Sequence, residues 1–318
     1  MNISVTGIGL VAPGVREPAD LTRTGPTAAE TAEDWFDPIP YLGRRGWKYL
    51  TPATRYLLAA ANEAAGRRHG DEPPAGHDAA RSGIATGTHH SISAMHQRLD
   101  RSIREEGSAG LSPAELPGFS VNMPASQLAI SMECRAFSVT LINPVVAGLD
   151  AVLFAVAALR RGRADRVLAT ATEHAAPGTG VLGGAAALRL DRTDGPAAGE
   201  VTGGLSRFVP RTGGGAWSEA ALESTARKTA ALAAGEPVLR YTFCGPAAAA
   251  PIDSAVREAC AAAGTVLKDT VFVGADARYG TVSPLLHLAG LVQESGPGLV
   301  VAASDDGHLT AVTVRGAV

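Results

Sequence analysis

The chain has 318 residues, of which 46% are apolar, 5% aromatic and 19% charged, with 37 glycines, which is more than one ordinary domain and suits an Ala/Gly-rich α/β protein rather than a disordered one. Its 28 basic and 31 acidic residues leave a net charge of -3, with no basic block beyond pairs such as Arg67-Arg68 and Arg160-Arg161, so nucleic acid is not an expected partner. The apolar start MNISVTGIGLVAPG has no basic flank and is cut by glycines and Pro13, while Cys134, Cys244 and Cys260 are far apart; this argues against a membrane segment, a disulfide framework or a zinc site, and makes the cytoplasm the default compartment.

Asn2 to Thr6 reads as a strand that stops at Gly7, followed by a Pro- and Thr-rich loop to about residue 40. Thr51-Pro52 is an N-cap followed by proline, and Leu57, Leu58 and Ala61 repeat at helical spacing up to Arg68. A short strand is expected over Ser82 to Thr86, a helix over His89 to Arg104, a break at Pro113 to Pro117, and a second helix over Val121 to Met132. Phe137 to Ile142 reads as a strand. Asn143-Pro144 then repeats the cap-plus-proline start, with Leu149, Val152, Leu153, Val156 and Leu159 on one helical stripe ending at Gly162.

Val167 to Thr172 and Ala185 to Leu190 are the next strands, and the Gly/Pro-rich residues from about 194 to 216 read as a connector. Asp191 and Asp194 look like loop. Beyond the connector, strands at Leu239 to Phe243, Val271 to Val273, Leu299 to Ala302 and Leu309 to Val314 enclose helices near Ile252 to Ala263 and Leu285 to Gln293, and Asp305-Asp306 looks like a turn. Strands separated by helices imply largely parallel pairing in a layered α/β unit.

From Leu111 to Ala176 the row carries, in order, Ser112-Pro113, Asn122-Met123, the 137–142 strand, Val145-Val146-Ala147-Gly148, an Ala-rich helix to Arg161, Gly162-Arg163-Ala164-Asp165 and Thr172-Glu173. This ordered set resembles the ketosynthase (β-ketoacyl synthase) family, and Val5-Thr6-Gly7-Ile8-Gly9 with Tyr41-Leu42-Gly43-Arg44-Arg45 extends the likeness over most of residues 1 to 190. The resemblance implies a thiolase-like fold: an α/β protein of two similar halves in an αβαβα layered arrangement. The halves would be residues 1–200, holding the former nucleophile helix 144–161, and a shortened 201–318, together making one compact unit.

The family holds its growing acyl chain on a cysteine at the amino end of a buried helix, where the helix dipole favours the thiolate. Two histidines and a lysine stabilise the developing enolate and orient the malonyl group. Counting back from Gly148, the cysteine position is Val145, which has no lone pair to attack with. Aligned with the family's other motifs, Cys244 stands for the first histidine, and Asp276 and Thr281 for the lysine and second histidine. Ser304-Asp305-Asp306-Gly307 stands for the glycine-rich gating loop. No catalytic position is retained, and neither a cofactor nor a metal is implied.

The resemblance therefore points to a chain-length factor of a type II polyketide synthase, a non-catalytic subunit paired with an active ketosynthase and served by an acyl carrier protein. Phe137, Val139 and Leu141 would form the interface strand, and Ala94, Met95, Asn122 and Met123 would line the tunnel end, where the small Ala94 leaves room for a long or polyene product. Two other readings stay open. One is an altered acyl-transfer or cyclisation enzyme using Cys244, His287 or His308; the other is a homodimeric acyl-binding scaffold. Cys244 and Cys260 are more ordinarily small buried residues. The spacing of His89, His90 and His96 would suit a solvated helix better than a metal.

Overall fold

The computed structural model describes residues 3–15, 35–68, 71, 77–113, 116–174, 178, 180–192, 197–270 and 278–317. Ten strands are β1 (Ile3–Val11), β2 (Ser82–Gly87), β3 (Phe137–Leu141), β4 (Arg166–Glu173), β5 (Gly184–Asp191), β6 (Gly199–Phe208), β7 (Val238–Cys244), β8 (Val266–Asp269), β9 (Gly296–Ala303) and β10 (His308–Gly316). The helices are α1 (Ile39–Leu42), α2 (Pro52–Ala65), α3 (Ser93–Glu106), α4 (Met123–Ser131), α5 (Ala147–Arg160), α6 (Glu219–Ala231), α7 (Ala250–Ala262) and α8 (Ser283–Gln293).

The strands join in the order β3-β2-β4-β5-β1-β6-β10-β9-β7-β8. Read outward from the β1–β6 junction, the two halves have the same order and the same pairing senses. β2 pairs in parallel with β3 and β4 as β7 does with β8 and β9, and β5 runs antiparallel to β4 and β1 as β10 does to β9 and β6. This is the two-halved thiolase-like architecture. The sheet is mixed rather than largely parallel: β4 to β5 and β9 to β10 return directly without a helical crossover, and only antiparallel pairing permits that.

α5 and α8 lie between the halves. α5 packs on β2 and β4 and also on β10, while α8 packs on β9, β10 and β5. Both carry almost continuous buried faces, Ala147 to Val152 in α5 and Ser283 to Val292 in α8, as expected of helices covered on both sides. One apolar cluster accordingly includes Leu149 and Val152 from the first half and Leu286 and Val300 from the second. α2 covers the outer face of the first half, capped by Thr51 as its sequence predicts and ended three residues earlier than expected by Gly66 in the left-handed conformation.

Several boundaries differ from the sequence reading. β1 does not stop at Gly7 but runs to Val11, because Gly7 and Gly9 are where α2 presses on the strand: a Cβ would lie 1.8 Å from the Ala64 carbonyl oxygen at Gly7 and 1.9 Å from that of Ala60 at Gly9. The 194–216 connector contains β6, whose Gly203 and Gly204 pair with β10. Asp191 closes β5 and is buried against Arg166 and Arg189, at 2.7 and 3.0 Å, so it is not loop. α6 was not anticipated, since its buried face is only Thr225, Ala226, Thr229 and Ala230. The expected strand at 271–273, Asp194 and most of the early loop lie outside the described residues. Among the described residues no helix is long and apolar enough to cross a membrane.

Candidate functional site

The strand-to-helix turn at the centre of the first half positions the site. Val145 has φ 61°, a left-handed conformation that a β-branched residue adopts only under constraint. The Val146 N–H donates to the Pro144 carbonyl at 2.6 Å and that of Ala147 to the Asn143 carbonyl at 3.2 Å, so the chain makes a γ-type turn before helical geometry begins. This corrects the expectation that Asn143-Pro144 caps a helix over 144–161. α5 starts at Ala147, and the Asn143 amide instead donates to Asp150 at 3.0 Å. The turn is an elbow that would hold the residue at position 145 over the amino end of α5.

Gly148, one turn on, lets the second half approach. A Cβ there would lie 2.3 Å from the Thr281 carbonyl oxygen, so only glycine permits this contact. Thr281 is fully buried and donates through its hydroxyl, at 2.8 Å, and its N–H, at 3.3 Å, to Glu173 Oε1. The same carboxylate accepts from the N–H groups of His89 at 3.0 Å and His90 at 2.6 Å. Burial pushes the Glu173 carboxyl above its ordinary range, and these donors only partly offset it. Because Glu173 holds His89 and His90 in a turn, α3 begins at Ser93 rather than at His89. Burial, and then the neighbouring His89, lower the His90 imidazole pKa.

Beyond that turn lies a cavity of about 540 Å³. Of the residues named as tunnel candidates, Ala94, Met95 and Met123 line it, while Asn122 is not among its described lining residues and is hydrogen-bonded to Ser120. Ser91, Thr54, Arg55 and His174 complete much of the wall and had not been singled out, because they come from three separate segments whose meeting no local pattern announces. Phe137, Val139 and Leu141 are elsewhere. They lie on β3, which ends the sheet and pairs only with β2 among the described strands, leaving an open edge flanked by exposed Ile142 and Ile130.

The three groups considered for a different chemistry do not line this cavity. Cys244 is buried at the end of β7, in the same core against which Val145 packs. His287 is buried within α8, and His308 stands at the β9–β10 turn, 3.9 Å from Asp306. Asp276 lies outside the described residues. Ser304 to Gly307 form that tight β9–β10 turn, with Ser304 hydrogen-bonded to Asp306. Among the described residues no three His, Cys, Asp or Glu side chains come together as a metal site would require.

The profile of the family described as Beta-ketoacyl synthase, N-terminal domain, matches residues 26–201, more than half of the chain. The chain belongs to the β-ketoacyl synthase family. No curated protein matches its sequence. Among solved structures, it is similar to AntDE:AntF, described as a type II polyketide synthase acyl-carrier protein in complex with its ketosynthase bound to the hexaketide (18% identity, 99% of each chain covered, TM-score 0.80). It is also similar to the ishigamide ketosynthase/chain length factor (19% identity, 99% of each chain, TM-score 0.71). A third is the oxazolomycin ketosynthase domain OzmH KS8 of Streptomyces albus JA3453 (14% identity, 99% of this chain and 95% of that one, TM-score 0.70). At these identities the likeness is one of fold. The elbow before α5 holds Val145, the residue that the sequence resemblance aligns with the family's nucleophilic cysteine.

Proposed function

We propose that the protein is a non-catalytic chain-length factor that pairs with an active ketosynthase and shapes the tunnel in which a carrier-bound polyketide or acyl chain grows. The observation that carries this reading is Val145 at φ 61°: the strained elbow is kept while the residue on it can neither become an anion nor be acylated. Simple decay would relax such a turn, whereas a retained packing role would keep it.

Two further features support the reading. β3 offers an unpaired edge to a partner, which is the expected use of Phe137, Val139 and Leu141. The Ala94–Met95–Met123 cavity opens beside the turn held by Glu173, and Glu173 reaches Thr281 and so the Gly148 contact at the start of α5. On this reading residues 1–200 and 201–318 act as one unit, with the partner supplying the thiol and histidines. By their descriptions, AntDE:AntF is an acyl-carrier protein in complex with its ketosynthase and the ishigamide structure is a ketosynthase/chain length factor, which supports the reading.

The test is incubation of the isolated chain with acyl-carrier thioesters, read by intact mass. No covalent adduct is expected. A stoichiometric acyl adduct, on Cys244 or any other residue, would replace this reading with an acyl-transfer enzyme on the same scaffold.

A further inference from the structure

A second cavity, of about 30 Å³, lies where the last residue of α2, Ala65, and the residue after α4, Met132, meet Leu168 of β4. Arg67, Arg166, Arg189 and His77 also line it, and none of its described lining residues is Asp or Glu. It is remote from the elbow. Arg166 opens β4 and Glu173 closes it, so the cavity and the Glu173 cluster are separated by the length of the strand, roughly 20 Å.

One carboxylate serves these cations. Arg166 stands opposite Asp191, and Leu168 opposite Arg189, on the paired strands, which puts both arginines on one face with Asp191. Asp191 accepts from Nε of Arg166 at 2.7 Å and from Nε of Arg189 at 3.0 Å, and Thr6 donates to it as well. The two arginine side chains are only 28% and 24% exposed, yet their Nη nitrogens make no hydrogen bond to any described residue. Arg67 has only a 3.5 Å contact from Nε to the Arg68 carbonyl. Burial raises the Cys134 thiol to about 11, and Arg166 and Arg67 oppose the rise, so both cations act on one sulfur in the cavity wall. Two helix C-termini attract cations, which accounts for arginines gathering here but gives their Nη nitrogens nothing to bind. Three guanidinium groups beside one carboxylate leave a net positive charge, and a planar guanidinium whose Nη pair is free is shaped to grip an oxyanion.

We propose that this cavity binds a small, doubly charged oxyanion of the phosphate class, held by the free Nη pairs of Arg166 and Arg189 with Arg67 and His77 completing the cationic wall. The volume holds roughly two waters, which suits an ion or a single phosphoryl group. Two sources share that chemistry, inorganic phosphate and a phosphate monoester. Occupation would tie α2, β4 and β5 together within the first half. The site is independent of the chain-length reading, and neither depends on the other.

Titration of the full-length protein with inorganic phosphate, methyl phosphate and chloride, at matched ionic strength, tests it. Saturable one-to-one binding of phosphate, at least tenfold tighter than chloride, is expected in calorimetry. Equal or tighter binding of methyl phosphate also supports the site and assigns a monoester, whereas binding of inorganic phosphate alone assigns the free ion. Arg67→Gln should weaken phosphate at least fivefold while the thermal midpoint in chloride holds. Alkylation of Cys134 by iodoacetamide locates the ion in the unaltered protein: phosphate, and not chloride, should slow it at least threefold. Chloride binding as tightly as phosphate, or Cys134 alkylated at the same rate with and without phosphate, overturns the proposal, as does a folded Arg67→Gln variant of unchanged affinity.

Discussion

Val145 concentrates the residue-scale argument. A left-handed conformation at a β-branched residue is worth roughly 1–2 kcal/mol of strain, which offsets much of what its half-buried side chain contributes. Val145→Gly should therefore leave stability within about 1 kcal/mol of the parent, whereas Val146→Gly, next in the chain but fully buried at φ −79°, should cost about 3 kcal/mol or more; urea denaturation of the two variants compares them directly. Equal losses would mean that the elbow is not strained. Val145→Cys should restore the thiol without condensation, since Thr281 carries its hydroxyl to Glu173 and has no base to offer, and turnover with malonyl- and acyl-carrier substrates measures this. Counting back from Gly148 singles out Val145 in the sequence, and the structure places it at the turn before α5. The elbow itself was not legible there, because Asn-Pro reads equally well as a helix cap, and only the contact with Asp150 decides where the amide goes. Nor could spacing announce Glu173 as the meeting point of N–H groups from residues 89, 90 and 281.

The elements show where local pattern suffices and where pairing takes over. α2, β4, β5, α8 and β10 follow from hydrophobic periodicity and caps, because each hides an apolar face that repeats at its own period. α6 and β6 do not: one buries alanine and threonine, the other is glycine-rich and is a strand because β1 and β10 pair with it. The α2–β1 contact makes two predictions. Gly9→Ala would drive a Cβ to 1.9 Å from the Ala60 carbonyl, and should cost roughly 3 kcal/mol or prevent folding, read as the thermal midpoint or the soluble yield. Glu63, which accepts the Leu10 N–H at 3.1 Å, has its carboxyl raised by burial from 4.5 to about 7. Its proton is held more tightly in the folded state. The stability linked to this group is therefore full below about 4.5 and is lost as pH rises through 7. Glu63→Gln should flatten the decline in stability between pH 5 and pH 8, followed by denaturant titration at each pH, and an unchanged slope would assign the decline to other groups.

At the scale of the molecule, duplication explains why so much of the fold was foreseeable and why half of it was not. The first half carries the family's ordered motifs and is the part matched by the family profile. The second half repeats the same strand order with few of those residues, so its likeness lies in topology, which emerges from long-range pairing rather than from any local run. Among the described strands the duplicated sheet also ends in an open strand on each side, β3 and β8. β3 is the one beside the elbow, through α5 and β2, and on the proposed reading its edge is where a second ketosynthase-like subunit would supply the chemistry that Val145 cannot. Co-expression of this chain with an active type II ketosynthase, followed by purification through a tag on the ketosynthase and by mass measurement of the complex, tests that claim most directly. A one-to-one heterodimer is expected, lost when Val139→Pro is placed on β3, with Ala94→Phe shortening the product made by the intact pair. A chain that stays homodimeric or monomeric beside an active ketosynthase, or a product length indifferent to Ala94→Phe, would contradict it.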